Sequence, residues 1–216
     1  QEWISINEII EETGSIFSLF DVCESVLKLL RHLIYFDAGV FFFYDEKDLR
    51  FKKPFLFNTS IETFKDYADY YQYIEPMRNK AFNTPHPIRV TDIMNDKEWA
   101  KTEHYIDFMK PNDFHYQLKT DIHYKNKLLS SLSLVRSKSS KDFDLKNLMY
   151  LQVITPHLGN HMYKLMLLEK QEKMMNQPEA NIESVVSKNM ITHSLSNRET
   201  DIVDLVIRGL TNEEVS

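Results

Sequence analysis

The sequence predicts an α+β fold, in which an antiparallel sheet is flanked by helices. Residues 114–124 alternate between apolar and polar side chains, which indicates a strand with one packed and one solvent-exposed face. A polar turn from Lys125 to Lys127 and an apolar run at 128–136 complete a predicted hairpin. Helical patterns occur before and after these strands, so helices and strands belong to one layered domain.

The first part of the chain predicts two helices followed by two strands. Residues 3–12 and 17–35 place apolar side chains at helical spacing. Residues 38–45 form a continuous apolar run of strand length, which indicates a central strand covered on both faces. Residues 49–57 predict the returning strand, and Pro54 within it favours an edge position because proline has no N–H to donate.

A helical insertion is predicted between the two strand pairs. Helices are expected at 60–77 and 97–110, and a proline follows or closes each of them. After the second strand pair, a long helical pattern occupies 145–172, and Pro156 inside it predicts a kink. Residues 173–194 are polar and mixed, which is typical of a linker.

Composition excludes several classes of protein. The chain is 43% hydrophobic and 27% charged, an ordinary balance for a globular protein. No apolar run approaches the ~20 residues that a membrane helix needs. The single cysteine, Cys23, excludes an intramolecular disulfide and a cysteine-rich metal site, and fits a reducing compartment. We therefore expect a cytoplasmic protein without membrane contact.

The end of the chain contains two helix-start signals in series. Ser196 and Glu199 have the spacing of a capping box, and Thr211 and Glu214 repeat it. Gly209 lies between them, where a helix often ends in a left-handed cap. This pattern predicts a short helix that turns tightly into a second helix.

The same stretch closely resembles the start of a LuxR-type helix-turn-helix domain. The matching residues are Leu195, Ser196, Arg198, Glu199, Asp201, Ile202, Val203, Leu205, Gly209, Thr211, Asn212, Glu214 and Val215. The resemblance implies that residues 195–216 begin a DNA reader whose recognition helix is expected beyond Ser216. It also implies that Thr211 and Asn212, at a helix N-terminus, contact the DNA backbone and not the bases.

The charge of this stretch argues against DNA binding by the fragment alone. DNA readers normally present a basic patch. Here Arg198 and Arg208 are outnumbered by acidic residues, and the whole chain has a net charge of −6. The acidic residues are Glu199, Asp201, Asp204, Glu213 and Glu214. We expect DNA to be a partner of the full-length C-terminal domain, and this fragment to bind it weakly or not at all.

The residues before the linker resemble a GAF domain, a small-molecule sensory fold, and most of all the GAF domains that precede LuxR-type readers. The matching residues are Glu98, Trp99, Thr102, Tyr105, Asp107, Phe108, Pro111, Leu134, Arg136, Ser137, Asp142, Phe143 and the segment 151–158. The resemblance implies a GAF-like sensor at 1–172, a linker at 173–194 and a truncated reader at 195–216.

A small-molecule ligand is implied by the same resemblance, because in the GAF fold the insertion covers a cavity above the sheet. Such pockets are mostly apolar with a few polar anchors. The candidate pocket residues are Tyr70, Tyr73, Met77, Trp99, Tyr105, Phe108, Phe114 and Tyr116. The alternative interpretation is that these side chains simply fill the core.

The sequence assembles no catalytic or metal-binding pattern. It has no glycine-rich phosphate loop and no serine nucleophile motif, and Cys23 lies on the apolar stripe of a predicted helix. His157 and His161 share one helix face, but a transition metal needs further ligands. We expect no enzymatic activity, no metal and no cofactor.

The predicted function is that of a ligand-responsive transcriptional regulator. Helices 17–35 and 145–172 carry more apolar surface than one sheet face requires, which favours a homodimer. Ligand binding is expected to shift the population of sensor conformations and so reposition the readers. The alternative function is a GAF-like module that binds no ligand and serves protein interaction and dimerisation.

Overall fold

A computed structural model describes residues 2–44, 51–81 and 86–175. It confirms the predicted α+β fold: five antiparallel strands form one sheet in the order β2-β1-β5-β4-β3. The strands are β1 (Ala38–Tyr44), β2 (Phe51–Phe57), β3 (Ile88–Arg89), β4 (Tyr116–Tyr124) and β5 (Lys127–Arg136). The predicted reader at 195–216, and the part of the predicted linker beyond Met175, lie outside the described residues.

Helices lie on both faces of the sheet, in two groups that are separated along the chain. The helices are α1 (Glu2–Gly14), α2 (Leu19–Leu30), α3 (Ile61–Asp66), α4 (Gln72–Ile74), α5 (Pro76–Ala81), α6 (Asp96–Trp99) and α7 (Leu145–Met175). Within the main compact unit, which ends at Leu167, α1, α2 and α7 pack on one face through side chains such as Leu27 and Leu158. The short helices α3 to α6 cover the other face.

The insertion is more irregular than its sequence pattern predicts. In place of one helix at 60–77, a π-helical turn at Tyr67–Tyr71 joins α3 to α4, and Glu75 has an extended backbone. Pro76 explains this break, because proline disfavours the helical conformation of the residue before it. In place of one helix at 97–110, α6 is followed by a second π-helical turn at His104–Met109.

The strand predictions for β1 and β2 are confirmed. Side chains of β1 are buried on both faces, with Phe41 in the core beneath the long helices and Phe42 in the core beneath the insertion. Pro54 lies in β2, which is an edge strand and therefore does not need the missing N–H for a second neighbour.

The prediction that one face of β4 is exposed to solvent is wrong. Gln117, Lys119 and Asp121 alternate with apolar residues as the sequence shows, yet each of them is at least 95% buried. The reason is that the insertion covers the very face to which the alternation assigns them. The polar face of β4 is therefore an internal polar layer.

The long helix α7 contacts the sheet most closely at the end of β4. A Cβ atom on Gly159 would lie 2.0 Å from the backbone oxygen of His123, so only glycine fits there. One turn further along α7, the ring of Tyr163 stacks on that of Tyr124 with 3.9 Å between ring centroids. The end of β4 is thus fixed against α7.

We predict that Gly159→Ala destabilises the domain. The added methyl group meets backbone atoms that cannot move independently, so we expect the free energy of unfolding to fall by about 1–3 kcal/mol in urea titrations. Gly14→Ala is the matched control, because nothing lies within 4 Å of its Cβ position. Its stability should be unchanged or up to ~1 kcal/mol higher. Equal stability of the two variants would contradict the close contact between α7 and β4.

Candidate ligand-binding site

A buried ion pair joins the insertion to the sheet. The Lys119 ammonium of β4 lies 3.2 Å from Oε2 of Glu75, and both side chains are 1% exposed. Glu75 occupies the extended residue between α4 and α5, and this break in the helix is where its carboxylate meets the sheet. The proline that follows Glu75 therefore has a direct effect on the geometry of the site.

Hydrogen bonds from uncharged side chains complete the surroundings of this carboxylate. The hydroxyl of Tyr67 donates to Oε2 of Glu75 at 2.6 Å, and the amide nitrogen of Gln117 donates to Oε1 at 2.8 Å. The same amide nitrogen lies 3.1 Å from the hydroxyl of Ser133 on β5. A buried charge is tolerated only when it is paired and hydrogen-bonded, and Glu75 meets both conditions.

A second polar group lies further along the same face of the sheet. The hydroxyl of Ser131 donates to Oδ1 of Asp121, and the hydroxyl of Tyr44 lies 2.8 Å from that of Ser131. Oδ2 of Asp121 has no hydrogen-bond partner among the described residues. The polar layer thus extends across β1, β5 and β4.

Burial and pairing shift the pKa values of the two carboxyl groups in opposite directions. Burial alone would raise the pKa of Glu75, but the Lys119 cation and the hydrogen bonds from Tyr67 and Gln117 hold it well below its usual range. Burial raises the pKa of Asp121, and its hydrogen bond from Ser131 only partly opposes that shift. At neutral pH Glu75 is therefore firmly ionised, and it needs the Lys119 cation.

A cavity of about 50 Å³, partly open to solvent, lies between the sheet and the insertion, beside this polar layer. That volume has room for roughly three or four water molecules. Most of its wall is apolar, and six polar or partly polar side chains border it. The lining residues are Ala38, Val40, Phe42, Leu56, Thr59, Thr63, Phe64, Tyr67, His104, Phe108, Met109, Phe114, Gln117, Ser133 and Val135.

His104 lies in the aromatic wall of the cavity. It starts the second π-helical turn, and the rings of Phe108 and Trp99 lie 5.3 and 5.8 Å from its own ring. Burial lowers the pKa of this histidine, although the charge of Glu75 opposes the shift. The imidazole is therefore neutral at neutral pH, and its Nδ1 has no hydrogen-bond partner among the residues that the structure describes.

The architecture is similar to that of solved sensory domains. The GAF domain of a Coxiella burnetii phosphoenolpyruvate-protein phosphotransferase superposes with a TM-score of 0.58 at 14% identity, covering 78% of this chain and 96% of that one. Escherichia coli SdiA gives 0.58 at 15% identity, with 100% and 82% covered. The VqsR LBD domain of Pseudomonas aeruginosa gives 0.54 at 12%, with 74% and 95% covered.

The fold is that of a GAF domain. At these low identities the likeness shows the fold alone. The GAF part of the resemblance seen in the sequence is thereby confirmed at the level of the fold. No family model and no curated protein matches this sequence.

The GAF fold separates the predicted pocket residues into four groups. Phe108 and Phe114 line the cavity. Met77, Trp99 and Tyr105 are buried in the core of the insertion and do not line it. Tyr70 and Tyr73 are 49% and 63% exposed on the outer surface. Tyr116 packs against the core on the opposite face of the sheet, because strand alternation places it with Leu118. Thr211 and Asn212 lie outside the described residues.

Trp99 and Tyr105 hold the insertion together by binding a buried histidine. The indole N–H of Trp99 donates to the carbonyl of His115 at 2.9 Å, and the hydroxyl of Tyr105 lies 2.8 Å from Nδ1 of His115. Nε2 of the same ring lies 2.7 Å from Asp96 of α6. These contacts assign Trp99 and Tyr105 to the support of the site.

Sequence reasoning missed the polar residues of the site. Glu75, Gln117, Lys119 and Asp121 were not candidates, since charged and amide side chains are mostly exposed. Two expectations, taken together, could have identified these buried polar residues. The insertion was predicted to cover the sheet, and a covered sheet face cannot also be the solvent-exposed face of β4.

The described part of the chain contains no assembled site for metal binding or thiol chemistry. No group of three or more His, Cys, Asp or Glu side chains is placed to hold a metal ion there. His161 lies 2.8 Å from the carbonyl of Ile16, and His157 is exposed. Cys23 is fully buried, and burial raises the pKa of its thiol, which disfavours the reactive thiolate. Across the same residues, no helix is both long and apolar enough for a membrane span.

We predict that Lys119→Met destabilises the domain by about 3–5 kcal/mol at neutral pH, because it leaves the Glu75 carboxylate buried without a cation. The double variant Glu75→Gln/Lys119→Met should recover most of this loss, since it removes the charge as well. Chemical denaturation of the four proteins of this cycle measures the coupling. Additive effects of the two substitutions would contradict the ion pair.

The contribution of Glu75 to the free energy of unfolding should respond to pH in opposite directions in the wild type and in Lys119→Met. In the wild type the lowered pKa of Glu75 means that its stabilisation is present at neutral pH and is lost as the pH falls below the ordinary carboxyl range. In Lys119→Met the carboxyl group gains by protonation, so the deficit relative to wild type should shrink as the pH falls. Denaturation at pH values between about 3 and 7 measures both trends.

Proposed function

We propose that this chain is the small-molecule sensor of a transcriptional regulator, in which a GAF-like domain controls a LuxR-type DNA reader. The observation that carries the proposal is the cavity between the sheet and the insertion, whose wall is mostly apolar and includes polar residues such as His104 and Gln117. Support comes from the likeness to ligand-binding domains of LuxR-type regulators and from the LuxR-type pattern at 195–216.

The proposed ligand lies against the apolar wall of the cavity and bonds to its polar edge. Phe108 and Phe114 contribute to the wall, and Gln117 and His104 are among the polar residues of the lining. Because the cavity is small, a larger ligand requires the insertion to move outward. Short helices and two π-helical turns form this cover, and π-helical turns are frequent at functional sites.

The signal in this proposal passes along β4. That strand carries Gln117 and Lys119 under the insertion, and its far end contacts α7 at Gly159 and Tyr163. A ligand that displaces the polar layer therefore acts on a strand that is fixed to α7. A ligand shifts the equilibrium only by its differential affinity for two such arrangements.

A homodimer is part of the proposal. The start of α1 and the start of α7 are held together by the contact between Glu2 and Lys146, and both present exposed apolar side chains. These side chains are Trp3, Ile4, Leu145 and Met149. LuxR-type readers bind paired half-sites, which requires two copies of the reader.

The second candidate function is a ligand-free module for protein interaction. The small volume of the cavity favours it, because 50 Å³ is far below the size of a drug-like pocket, which is roughly 300–1,000 Å³. The two candidates differ in one respect that can be measured: only the sensor loses a binding activity when the cavity is filled.

We predict that Ala38→Leu abolishes small-molecule binding. Ala38 is 1% exposed in β1 and lines the cavity, so the larger side chain occupies the ligand's space. A fragment library screened by ligand-observed NMR should give binders for the wild type that are lost in this variant. Ala100→Leu is the matched control, since Ala100 packs in the same core without lining the cavity. Binders retained by Ala38→Leu, or none at all, would favour the interaction module.

We also predict that such a binder changes DNA affinity in a protein that carries the complete reader. DNA sequences selected from a random library by that protein should contain two related half-sites, as expected for a dimer. Adding the binder should change the dissociation constant for the selected DNA by about 5- to 150-fold, the usual range of allosteric coupling. Equal affinity with and without the binder would contradict ligand control of the reader.

A further inference from the structure

The side chain of Tyr67 lies in the wall of the cavity, among other aromatic rings. Its ring centroid is 5.2 Å from that of Phe42, 5.5 Å from that of Phe108 and 6.3 Å from that of Phe64. All four residues line the cavity. Because packed side chains leave little free space between them, a molecule that enters here presses on the ring of Tyr67.

The hydroxyl of the same side chain belongs to the polar layer. It donates to Oε2 of Glu75 at 2.6 Å, and this is the same oxygen that lies 3.2 Å from the ammonium of Lys119. All three side chains are buried, and a hydrogen bond to a buried charged group is costly to lose. Tyr67 therefore contacts the cavity through its ring and the ion pair through its hydroxyl.

Gln117 also joins the cavity wall to Glu75, but the sheet holds it in place. It lies in β4 opposite Val135 of β5, and its amide nitrogen is shared between Glu75 and Ser133. Tyr67 belongs instead to the insertion, where it begins the π-helical turn between α3 and α4. Short covering segments open more readily than paired strands. The ring of Tyr67 is therefore the part of this wall that can move while Gln117 stays in place.

We propose that Tyr67 couples the occupancy of the cavity to the ion pair of Glu75 and Lys119. This proposal rests on the proposed sensor function and describes how the same site is regulated. An occupant larger than the cavity displaces the ring of Tyr67, and the hydroxyl then leaves Oε2 of Glu75. The carboxylate keeps the ammonium of Lys119 and the amide of Gln117, so the buried charge depends more strongly on β4.

The displacement of Tyr67 lowers the affinity for the occupant. A hydrogen bond to a charged group corresponds to a factor of about ten or more in an equilibrium constant. The wild type must break that bond before it binds, and its apparent affinity falls by the same factor. Tyr67→Phe keeps the ring and removes the hydroxyl, so this variant should bind an occupant more tightly than the wild type. A residue that only lined the cavity would give no such gain.

Toluene is the probe, because it is apolar and needs more space than a cavity with room for roughly three or four water molecules. Its dissociation constant is measured by NMR titration of the full chain, with the methyl signal of Met109, which lines the cavity, as the local readout. We expect Tyr67→Phe to bind toluene about tenfold or more tightly than the wild type. Thermal melting verifies that the variant is folded.

The matched control is Tyr105→Phe. Tyr105 is also a buried residue of the insertion, and its hydroxyl lies 2.8 Å from Nδ1 of His115, but it does not line the cavity. The control therefore removes a hydrogen bond of the insertion that does not involve Glu75. It should bind toluene within about twofold of the wild type. A similar gain in both variants would assign the effect to a looser insertion and would overturn the proposal.

A second measurement follows the ion pair in the wild type and does not depend on the folding of any variant. Glu75 and Lys119 do not line the cavity, so a change in their backbone amide signals reports an effect that has passed beyond the wall. Toluene should shift both signals in the wild type, and in Tyr67→Phe the shift at Lys119 should be smaller because the bond is already absent. Binding of toluene without any shift at Glu75 and Lys119 would overturn the proposal.

The outcomes separate this inference from the sensor proposal. If toluene binds Tyr67→Phe as tightly as the wild type, or more weakly, Tyr67 is only part of the wall and the inference fails alone. It also fails alone if toluene binds neither protein while the fragment screen gives binders that Ala38→Leu removes. If toluene binds neither protein and the screen gives no such binder, both the inference and the sensor proposal fail.

Discussion

The contact between Glu75 and Lys119 is the interaction on which the rest of this GAF domain depends. It is the charged link between the insertion and the sheet, and it lies where both side chains are 1% exposed. Desolvating two charges costs several kcal/mol per ion, and that cost is offset only when the geometry is good and other hydrogen bonds are made. Tyr67 and Gln117 supply those bonds, so the position of the insertion is fixed by a network of few residues.

This network explains why the cavity has a polar edge. The amide nitrogen of Gln117 donates to Glu75 and Ser133, and its amide oxygen is buried without a partner among the described residues. A core filled with apolar side chains alone would avoid that cost and would pack the insertion equally well. Because burying polar groups costs free energy, the internal polar layer is better explained by specificity than by stability. In the proposed sensor, the residues of this layer that line the cavity, such as Gln117, contribute to the choice of ligand.

Much of the fold could be predicted from the sequence, and the reasons why the rest could not are physical. Alternation predicted β4, a continuous apolar run predicted β1, the turn at 125–127 predicted β5 as the partner strand, and the missing N–H of Pro54 predicted the edge strand. Periodicity is a local signal and does not report what covers a strand, so the face of β4 that carries Lys119 was assigned to solvent. The candidate pocket residues show a different limit of sequence reasoning. Aromatic content located the insertion but did not distinguish rings at the cavity from rings such as Trp99 that support it.

The strand β4 is the one element that contacts every part of the proposed mechanism. Its middle binds the insertion through Lys119, and its end contacts α7 so closely that Gly159 has no room for a Cβ atom. Contacts between backbone and backbone cannot adjust by a change of rotamer, so a displacement of β4 must move α7 or break the contact. Side-chain contacts with the insertion, in contrast, can rearrange when a ligand enters. In the proposed sensor, the side-chain contacts on the ligand side of β4 can therefore adjust by a change of rotamer, whereas the backbone contact on the output side cannot.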